Sequence, residues 1–412
     1  MNSYTRSQQQ ALSAVLSFLA DPEQGQFILT GAPGTGKTFL VKEIIRNWGG
    51  QYALCATTHK AARILTENCA DLGVEAVTVH SLLNLTLSFD NATLTRKLRK
   101  RNRDSIPTDK LIIIDESSMI TWEVYNELLR GTCRCKLLFV GDRNQLPPVK
   151  GKFSVFNMGN IPRVELTEPV RFGQNQELAD LSCELRKWVQ DRNYVPAIKH
   201  IPGKVELLTE RDDIAALIKD SFSGEDRLEH RVATYTNRQA IRYNNYIRTR
   251  VRGREEDLVP GDMLVSAQSG RSLHSEDVVR LLSISERKKF PEFPGFTETF
   301  TYRDVEVVNT FTGETVTGIL PDDISYFKNK VLKSARASGN TDVVKLIDYR
   351  VLDLRPADAC TVHKLQGSTV DTVYVDLRDI GTCTNKDVMA RLVYVAATRA
   401  RERVVFIGKI AG

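Results

Sequence analysis

The chain lacks the sequence features of a membrane or secreted protein. No apolar run approaches the length of about 18 residues that a membrane-spanning helix needs. The first residues, MNSYTRSQQQALSAV, lack the long apolar stretch of a signal peptide. We therefore expect an intracellular protein with no membrane partner.

The cysteines lack the spacing of a metal site. The seven cysteines are an odd number, and Cys133 and Cys135 are too isolated to make a zinc site. Internal repeats and low-complexity segments are also missing. What remains is an ordinary globular composition in 412 residues, enough for two or three domains. The net charge of +6 is weak support for an anionic polymer as partner.

Apolar strand-like runs alternate with amphipathic helical stretches over the first 170 residues, which predicts a parallel α/β sheet. The predicted strands are 27–30, 52–57, 75–79, 111–115, 136–141 and 163–167, and the predicted helices are 37–48, 58–70 and 122–130. The alternation resumes after residue 173, with helices near 175–190, 237–250 and 386–398 and strands at 231–235, 372–377 and 403–408.

Two segments interrupt this alternation. Proline and glycine punctuate residues 259–345, where short alternating runs predict a small β-rich insertion. A shorter insertion at 84–108 contains RKLRKRNR, with six basic residues in eight. A run of this kind is either a solvated surface or a contact to a nucleic-acid backbone.

The run FILTGAPGTGKT at 27–38 joins an apolar strand to a helix through a glycine-rich loop. This is the context that the phosphate-binding pattern G-x-x-x-x-G-K-[ST] requires. Glycines let backbone N–H groups turn towards a polyphosphate, Lys37 can reach the β- and γ-phosphates, and Thr38 offers a hydroxyl to Mg²⁺. The sequence therefore predicts a nucleoside triphosphatase.

Two further apolar strands end in polar residues suited to this chemistry. LIIIDESSM at 111–119 places Asp115 where a carboxylate can hold Mg²⁺, and Glu116 where it can deprotonate the attacking water. KLLFVGDRNQLPPV at 136–149 presents Gln145, whose amide can sense the γ-phosphate, before two prolines that stiffen the loop.

Taken in order, these motifs resemble those of superfamily 1 helicases, closest to the 5′→3′ group that includes RecD-like and Dda-like enzymes. The matching segments are GAPGTGKT (31–38), ATTHKAAR (56–63), TVHSLL (78–83), DESSM (115–119), GDRNQLPPV (141–149), LTEPVR (166–171), ATYTN (233–237), TVHKLQGSTVD (361–371) and RLVYVAATRA (391–400). Gln8, in YTRSQQQAL at 4–12, matches a glutamine that precedes the phosphate-binding loop in the family. The resemblance therefore covers the chain from near residue 4 to its end, and the two insertions carry none of the motifs.

The resemblance implies a set of site residues. It implies the catalytic residues Lys37, Glu116, Gln145, Arg171 and Arg399, the two arginines acting as fingers on the γ-phosphate. It implies ATP contacts from Gln8, which would read the adenine, and from Gly31, Ala32, Pro33, Gly34, Thr35, Gly36, Lys37, Thr38, Phe39, Asp115 and Gly367, with Mg²⁺ held by Thr38 and Asp115. It implies nucleic-acid contacts from Thr57, His59, Lys60, Thr78, His80, Pro147, Asn237, Thr361, His363 and Lys364.

The fold implied is α/β, with two tandem RecA-like P-loop domains, a short insertion in the first and a small β-rich, SH3-like insertion in the second. The first domain is expected at 1–172, with a duplex-splitting wedge in its 84–108 insertion. The second is expected at 173–258 and 346–412, interrupted by the insertion at 259–345.

The function implied is that of an ATP-dependent DNA helicase moving 5′→3′ on single-stranded DNA and separating duplexes in replication, recombination or repair. Two alternatives stay open, an RNA helicase of the same superfamily and a nucleic-acid-stimulated ATPase without strand separation. The expected partners are single-stranded and forked DNA and a single-strand-binding or replication protein. The enzyme is expected to act as a monomer in the cytoplasm of a bacterium or a phage-infected host.

Overall fold

The computed structural model describes most of the chain. The described residues are 4–90, 95–100, 106–148, 153–168, 170, 175–224, 228–254, 257–267, 273–290, 298–337, 344 and 350–410, with the backbone alone at 86–90 and 95–100. The chain divides into two compact units. Unit 1 comprises Met1–Leu207 and Leu365–Gly412, and unit 2 comprises Leu208–Lys364. Within the described residues, no helix is long and apolar enough to cross a membrane.

Strands and helices alternate along much of the described chain. The strands are β1 Gln26–Gly31, β2 Tyr52–Ala56, β3 Val77–Thr78, β4 Leu85–Asp90, β5 Thr95–Lys100, β6 Leu111–Asp115, β7 Lys136–Gly141, β8 Arg163–Leu166, β9 Val205–Leu208, β10 His230–Thr234, β11 Met263–Ser266, β12 Val278–Ile284, β13 Lys288–Lys289, β14 Thr301–Asn309, β15 Thr315–Pro321, β16 Leu354–Pro356, β17 Ala359–Thr361, β18 Val370–Asp376 and β19 Ala400–Ile407. The helices are α1 Arg6–Ala20, α2 Lys37–Trp48, α3 His59–Asn68, α4 Val79–Leu82, α5 Trp122–Gly131, α6 Gln176–Gln190, α7 Arg211–Phe222, α8 Asn237–Tyr246, α9 Ile324–Tyr326, α10 Leu332–Ala337, α11 Val362–Leu365, α12 Leu377–Ile380 and α13 Lys386–Ala397, with π-helical turns at Ile247–Val251 and Phe327–Val331.

Unit 1 contains a six-stranded sheet in the order β3-β2-β6-β7-β1-β8, and every neighbouring pair is parallel. Its central strands are buried on both faces, as their continuous apolar sequences require. One core, containing Leu40 and Ile44 of α2, covers one face, and a second, containing Val124 and Leu128 of α5, covers the other. The carboxyl ends of β1, β6 and β7 therefore meet at one edge.

The predicted strand at 75–79 is shortened to Val77–Thr78. The Thr78 hydroxyl accepts a hydrogen bond from the backbone N–H of Ser81 and caps α4. This hydrogen bond favours the start of a helix at Val79, whereas the apolar run predicts that the strand continues to residue 79.

The rest of unit 1 is built from residues 175–207 and from the C-terminal segment that starts at Leu365. β18 pairs in parallel with β19, and β9 lies on the other side of β19. α13 packs against α6. These elements agree with the strands and helices predicted near 175–190, 372–377, 386–398 and 403–408.

The insertion at 84–108 contains an antiparallel hairpin formed by β4 and β5, with Leu85 opposite Lys100 and Asp90 opposite Thr95. The side chains of the basic run at 96–103 lie outside the described residues. Its proposed contact with duplex DNA therefore stays a prediction.

Unit 2 combines a parallel pair with an antiparallel sheet. β10 pairs with β17, so that Thr234 lies opposite Thr361, and Asn244 of α8 bonds through both ends of its amide to the backbone of Ala359. The antiparallel sheet has the order β13-β14-β12-β11-β16, with β15 paired to β14. The last strand of this sheet is β16, Leu354–Pro356, which pairs with β11. The sheet therefore extends past residue 345, where the predicted insertion ends.

Buried ion pairs hold the helical segment 237–251 and its continuation in place within unit 2. Asp262 accepts hydrogen bonds from Arg248 and Arg254 at 2.8 and 2.7 Å. Arg252 makes a two-point contact with Asp358 at 2.9 and 2.7 Å. These planar guanidinium–carboxylate contacts satisfy charges that would be costly to bury alone.

Candidate active site

The phosphate-binding loop lies between the end of β1 at Gly31 and the start of α2 at Lys37. Gly34 and Gly36 adopt left-handed backbone conformations, with φ of 82° and 85°. A Cβ at Gly31 would lie 2.7 Å from the Thr35 hydroxyl, so the loop also needs glycine for space. The result is a ring of backbone N–H groups at a helix N-terminus, which suits a polyphosphate.

Lys37 extends over this loop. Its ammonium donates hydrogen bonds to the carbonyls of Gly31 and Ala32, both at 2.9 Å. Burial lowers the pKa of Lys37, whereas the negative charges of Asp142, Glu116 and Asp115 oppose that change. The cation thus lies close to the carboxylates at the ends of the neighbouring strands.

Helix α1 and the segment after β8 hold the loop from outside. The Gln8 amide donates to the carbonyl of Thr35 at 3.2 Å and accepts from the N–H of Thr5 at 3.1 Å. The N–H of Val170 donates to the carbonyl of Gly34 at 2.8 Å. Gln8, predicted to read adenine, therefore supports the loop and caps α1, and keeps one N–H and one lone pair for any other contact. Phe39 contacts the ring of Tyr4, with centroids 5.7 Å apart.

Asp115 and Glu116 end β6 in an unusual geometry. Glu116 has a φ of 51°, which is rare for a residue with a side chain, and its N–H donates to the Asp115 carboxylate at 2.8 Å. The Glu116 Oε2 atom is buried and has no hydrogen-bond partner among the described residues. Burial, followed by the negative charge of Asp115, raises the pKa of Glu116 to about 7. Burial also raises the pKa of Asp115.

The residues present fit a magnesium ion that arrives with a nucleotide. Mg²⁺ in such sites takes one or two protein oxygens and completes its octahedron with phosphates and water. Thr38 provides a hydroxyl at the start of α2, and Asp115 provides a carboxylate beside an unpartnered buried oxygen of Glu116. No cluster of three or more His, Cys, Asp or Glu suited to a metal occurs within the described part of the chain.

The loop after β7 is bonded to helix α13. The Tyr394 hydroxyl donates to the buried Asp142 carboxylate at 2.6 Å, and burial raises the pKa of Tyr394 well above 10, so the hydroxyl keeps its proton. Arg391 donates to the carbonyls of Arg143 and Gln145 at 2.7 and 2.8 Å. The loop that carries the predicted sensor is thus fixed by the helix that ends just before Arg399.

Gln145 has a second partner from the C-terminal part of unit 1. The Gln366 amide donates to the Gln145 side-chain oxygen at 2.9 Å and to the Ser118 hydroxyl at 3.1 Å. Four residues that make these bonds lie inside the matched motifs but are not among the predicted site residues: Asp142, Gln366, Arg391 and Tyr394. Their position within those motifs was the signal available.

Of the two predicted arginine fingers, only Arg399 lies within the described residues. Arg399 is buried, and its guanidinium donates to the carbonyl of Val395 and to the Thr398 hydroxyl, both at 3.1 Å. Its positive charge lowers the pKa values of Glu116 and Lys37, so it lies near both. Arg171 lies outside the described residues.

The predicted nucleic-acid contacts are divided between the two units. Those in unit 1 are Thr57, His59, Lys60, Thr78, His80 and Pro147, and those in unit 2 are Asn237, Thr361, His363 and Lys364. Thr78 and Thr361 are buried. The Thr78 hydroxyl accepts the Ser81 N–H as a helix cap, and its contact with nucleic acid stays a prediction. Burial lowers the pKa values of His80 and His363, which favours the neutral ring.

Gly367 lies at the start of the C-terminal part of unit 1, and Lys60 lies in α3. Gly367 has a φ of 77° and follows Gln366 directly. The Lys60 ammonium donates to the Ser368 hydroxyl at 2.6 Å. The structure thus brings α3 together with the segment that carries Gln366.

Two family models match separate parts of the chain. An AAA-domain model matches residues 3–198, which include the phosphate-binding loop and the Asp115–Glu116 pair. A model of the UvrD-like helicase C-terminal domain matches residues 356–407, which include α13 and Arg399.

Relatives and one solved structure align along nearly the whole chain. The ATP-dependent DNA helicase Dda of Enterobacteria phage T4 is 23% identical over 446 aligned positions, which cover 98% of this chain and 99% of Dda. The RecD2 DNA helicase of Deinococcus radiodurans is 26% identical, over 92% of this chain and 46% of RecD2. A structure of two coordinating Pif1 helicases on forked double-stranded DNA includes a chain with a TM-score of 0.52 and 18% identity, over 98% of this chain and 92% of that one. The last similarity shows a shared fold.

Replacing Gly36 by alanine tests how the loop is held. The new Cβ would lie 2.4 Å from Gln8 Nε2 in a left-handed backbone, whereas Gly49 has the same kind of backbone and open space around it. We expect Gly49→Ala to lower the free energy of unfolding by about 1–2 kcal/mol, the cost of the left-handed conformation. Gly36→Ala should cost about 1 kcal/mol more, because Gln8 loses a hydrogen bond. Urea denaturation measures both. The additional cost of Gly36→Ala should disappear when Gln8 is also replaced by alanine. If that additional cost stays the same, the clash is not with the Gln8 side chain.

Replacing Tyr394 by phenylalanine tests the bond between α13 and the loop. Loss of a hydrogen bond to a buried carboxylate should lower the free energy of unfolding by about 1.5–3 kcal/mol. Tyr125→Phe is the matched control, because its hydroxyl donates to the neutral side-chain oxygen of Gln26 at 2.7 Å, and it should cost about 1 kcal/mol. Equal costs in the two variants would mean that the Asp142 charge adds nothing to the bond.

Proposed function

We propose that this chain belongs to the 5′→3′ group of superfamily 1 helicases and that it hydrolyses ATP to move along single-stranded DNA and to separate a duplex. The observation that carries the proposal is the convergence, within unit 1, of the phosphate-binding loop, the Asp115–Glu116 pair and Gln145, with the Arg399 charge nearby. These are the groups that phosphoryl transfer to water needs: an anion cradle, a base, a sensor of the γ-phosphate and a cation for the transition state.

The hydrolytic step assigns a separate role to each group. The loop N–H groups and Lys37 bind the β- and γ-phosphates and orient the nucleotide. Mg²⁺, held by Thr38 and Asp115, would neutralise charge on those phosphates. Glu116 accepts the proton of the attacking water, a role supported by its buried, unpartnered carboxylate oxygen. Arg399 stabilises the charge that develops on the γ-phosphate, and Arg171 is proposed as a second finger by resemblance alone.

Coupling to DNA is assigned to the loop at 142–145 and its bonds to the C-terminal part of the chain. Gln145 accepts from Gln366, and its carbonyl accepts from Arg391. A γ-phosphate that competes for the Gln145 amide would alter these bonds and so change the position of the segment carrying Gln366 and Gly367. This segment follows directly on Thr361, His363 and Lys364, which are proposed to contact the strand.

Several finer assignments belong to the same proposal. They are the domain boundaries at 1–172, 173–258 with 346–412, and 259–345, the SH3-like character of the insertion, the wedge at 84–108, and the strand contacts of Thr57, His59, Lys60, His80, Pro147 and Asn237. A single-strand-binding or replication protein as partner, action as a monomer, and a role in replication, recombination or repair are likewise proposed by resemblance. The neutral imidazoles of His80 and His363 suit stacking on a base better than pairing with a phosphate.

Replacing Glu116 by glutamine tests the base. The amide has nearly the same shape but cannot take a proton from water, so ATP turnover should fall by a factor on the order of 10²–10⁴ while nucleotide binding is kept. Steady-state hydrolysis with single-stranded DNA and equilibrium binding of a fluorescent ATP analogue measure the two quantities. Glu123→Gln, on the exposed start of α5, is the control and should hydrolyse ATP as the wild type does. Unchanged turnover in Glu116→Gln would exclude this residue as the base.

Unwinding of matched tailed duplexes tests the function as a whole. With ATP and Mg²⁺, a duplex with a 5′ DNA tail should be separated, and duplexes with a 3′ tail or blunt ends should stay paired. Lys37→Ala should abolish separation of all substrates, since the nucleotide phosphates lose their cation. Equal separation from a 3′ tail would contradict the polarity. Preference for an RNA tail would support the RNA helicase, and hydrolysis without separation would support the ATPase alternative.

A further inference from the structure

Helix α8 and the turn that follows it carry an exposed face rich in arginine. Arg238, Arg242 and Arg250 are exposed, and Tyr246 lies between the last two with 38% of its surface exposed. We call these four residues the arginine face. They are spaced four residues apart, so they form one row along the helix. The row runs about 18 Å from Arg238 to Arg250, at 1.5 Å per residue.

The π-helical turn at Ile247–Val251 helps to keep this row on one side. In a regular α-helix, each step of four residues advances about 40° around the axis, so Arg250 would drift away from Arg238. A turn of wider, i→i+5 bonding rotates less per residue and reverses part of the drift. Such turns are frequent at functional sites.

Within the described residues, no acidic side chain balances the charges of the arginine face. Residues 237–251 contain no Asp or Glu. Arg238, Arg242 and Arg250 make no ion pair or side-chain hydrogen bond with any other described residue. The other arginines of this region behave differently, because Arg248 and Arg252 are paired with Asp262 and Asp358. Asp262 and Asp358 thus pair with the buried arginines, whereas the three exposed arginines pair with no described acidic residue.

The arrangement is also locally unfavourable for the helix. Arg238 lies in the first turn, where the helix dipole favours an acidic residue, and no acid occurs there. Arg238 and Arg242 are like charges four residues apart, which repel each other. A merely solvated helix surface usually mixes both signs. An anionic ligand along this row would remove both penalties.

The arginine face begins at the edge of unit 2 whose residues are proposed to contact single-stranded DNA. β10 and β17 are neighbouring parallel strands with Thr234 opposite Thr361, so their carboxyl ends share one edge. α8 starts at this edge with Asn237, directly before Arg238, and His363 follows Thr361 at the same edge. A DNA strand bound at this edge can therefore continue along α8.

We propose that the arginine face binds the sugar-phosphate backbone of single-stranded nucleic acid as a continuation of the edge formed by Asn237, Thr361 and His363. This inference rests on the proposed function. The guanidinium groups lie about 6 Å apart along the axis between Arg238 and Arg242 and about 12 Å apart between Arg242 and Arg250, which suits phosphates one and two positions apart on an extended strand. Tyr246, set between Arg242 and Arg250, can stack on an unpaired base, which favours a single strand over a duplex.

A triple variant with a matched control tests the proposal. Arg238→Gln/Arg242→Gln/Arg250→Gln removes three charges from the face. Arg134→Gln/Arg192→Gln/Arg401→Gln removes three exposed arginines that pair with Asp109, Asp387 and Asp371. Binding of oligothymidylates of increasing length is measured across a salt series with both variants and the wild type. Circular dichroism and thermal melting check that each is folded.

The face variant should lose affinity for long strands and keep that for short ones. Three lost phosphate contacts should reduce the slope of log K against log salt by about 2, at roughly 0.7 per contact, and weaken binding on the order of 10- to 100-fold near 0.1 M salt. Oligonucleotides too short to reach beyond the edge should bind as they do to the wild type. The control should keep the wild-type slope.

Tyr246 gives an independent measurement. Tyr246→Ala should weaken binding of long strands by about 5- to 150-fold through lost stacking, and Tyr246→Phe should restore it. Equal slopes for the face variant and the control would overturn the inference. So would a loss confined to blunt duplex, because the face would then hold paired DNA. Failure of the wild type itself to bind single strands would instead reject the proposed function.

Discussion

The register of the parallel strands β1, β7 and β6 is the constraint on which the active site depends. Thr30 lies opposite Gly141, and Ile114 opposite Phe139, so the carboxyl ends of the three strands are level. Gly141 also permits a close approach, because a Cβ there would lie 2.9 Å from the Phe156 ring and 3.3 Å from the N–H of Ser117. Both faces of the sheet are buried, so a one-residue slip would move each side chain of a strand into the opposite core and disrupt its close packing, which fixes this register.

That rigid edge supports a local geometry that is unfavourable by itself. A left-handed glutamate with a buried, unpartnered carboxylate oxygen costs on the order of 1–3 kcal/mol for the backbone alone. The turn is held by the Ser117 hydroxyl, which donates to the carbonyl of Ile114 at 2.6 Å. The packed core thus offsets the cost of this backbone and keeps Glu116 buried. Burial raises the pKa of Glu116, which makes its carboxylate a better base.

Asp142 links this edge to the end of the chain. It is separated from Tyr394 by 252 positions, yet their side chains form a buried hydrogen bond. With the contacts of Arg391 and Gln366 to Gln145, this bond makes the loop after β7 a shared support for the nucleotide site and α13. A change at the loop therefore has a contiguous route to Arg399 and to the segment around Gly367. A charge-assisted bond of this kind is strong because its surroundings exclude water.

The sequence by itself determined the strand–loop–helix around Lys37, the apolar strand that ends at Asp115, the β-rich insertion and the order of the helicase-like motifs, because these depend on local periodicity, glycine placement and the spacing of short motifs. Only the tertiary structure decided that Gln8 supports the loop, that Thr78 caps a helix, and that Tyr394 and Gln366 hold the loop after β7. It also decided which arginines of residues 237–252 pair with a described acidic residue and which do not. Each of these depends on which atoms meet across distant segments, and a sequence pattern contains no record of the partner that a polar side chain finds once the sheet is assembled.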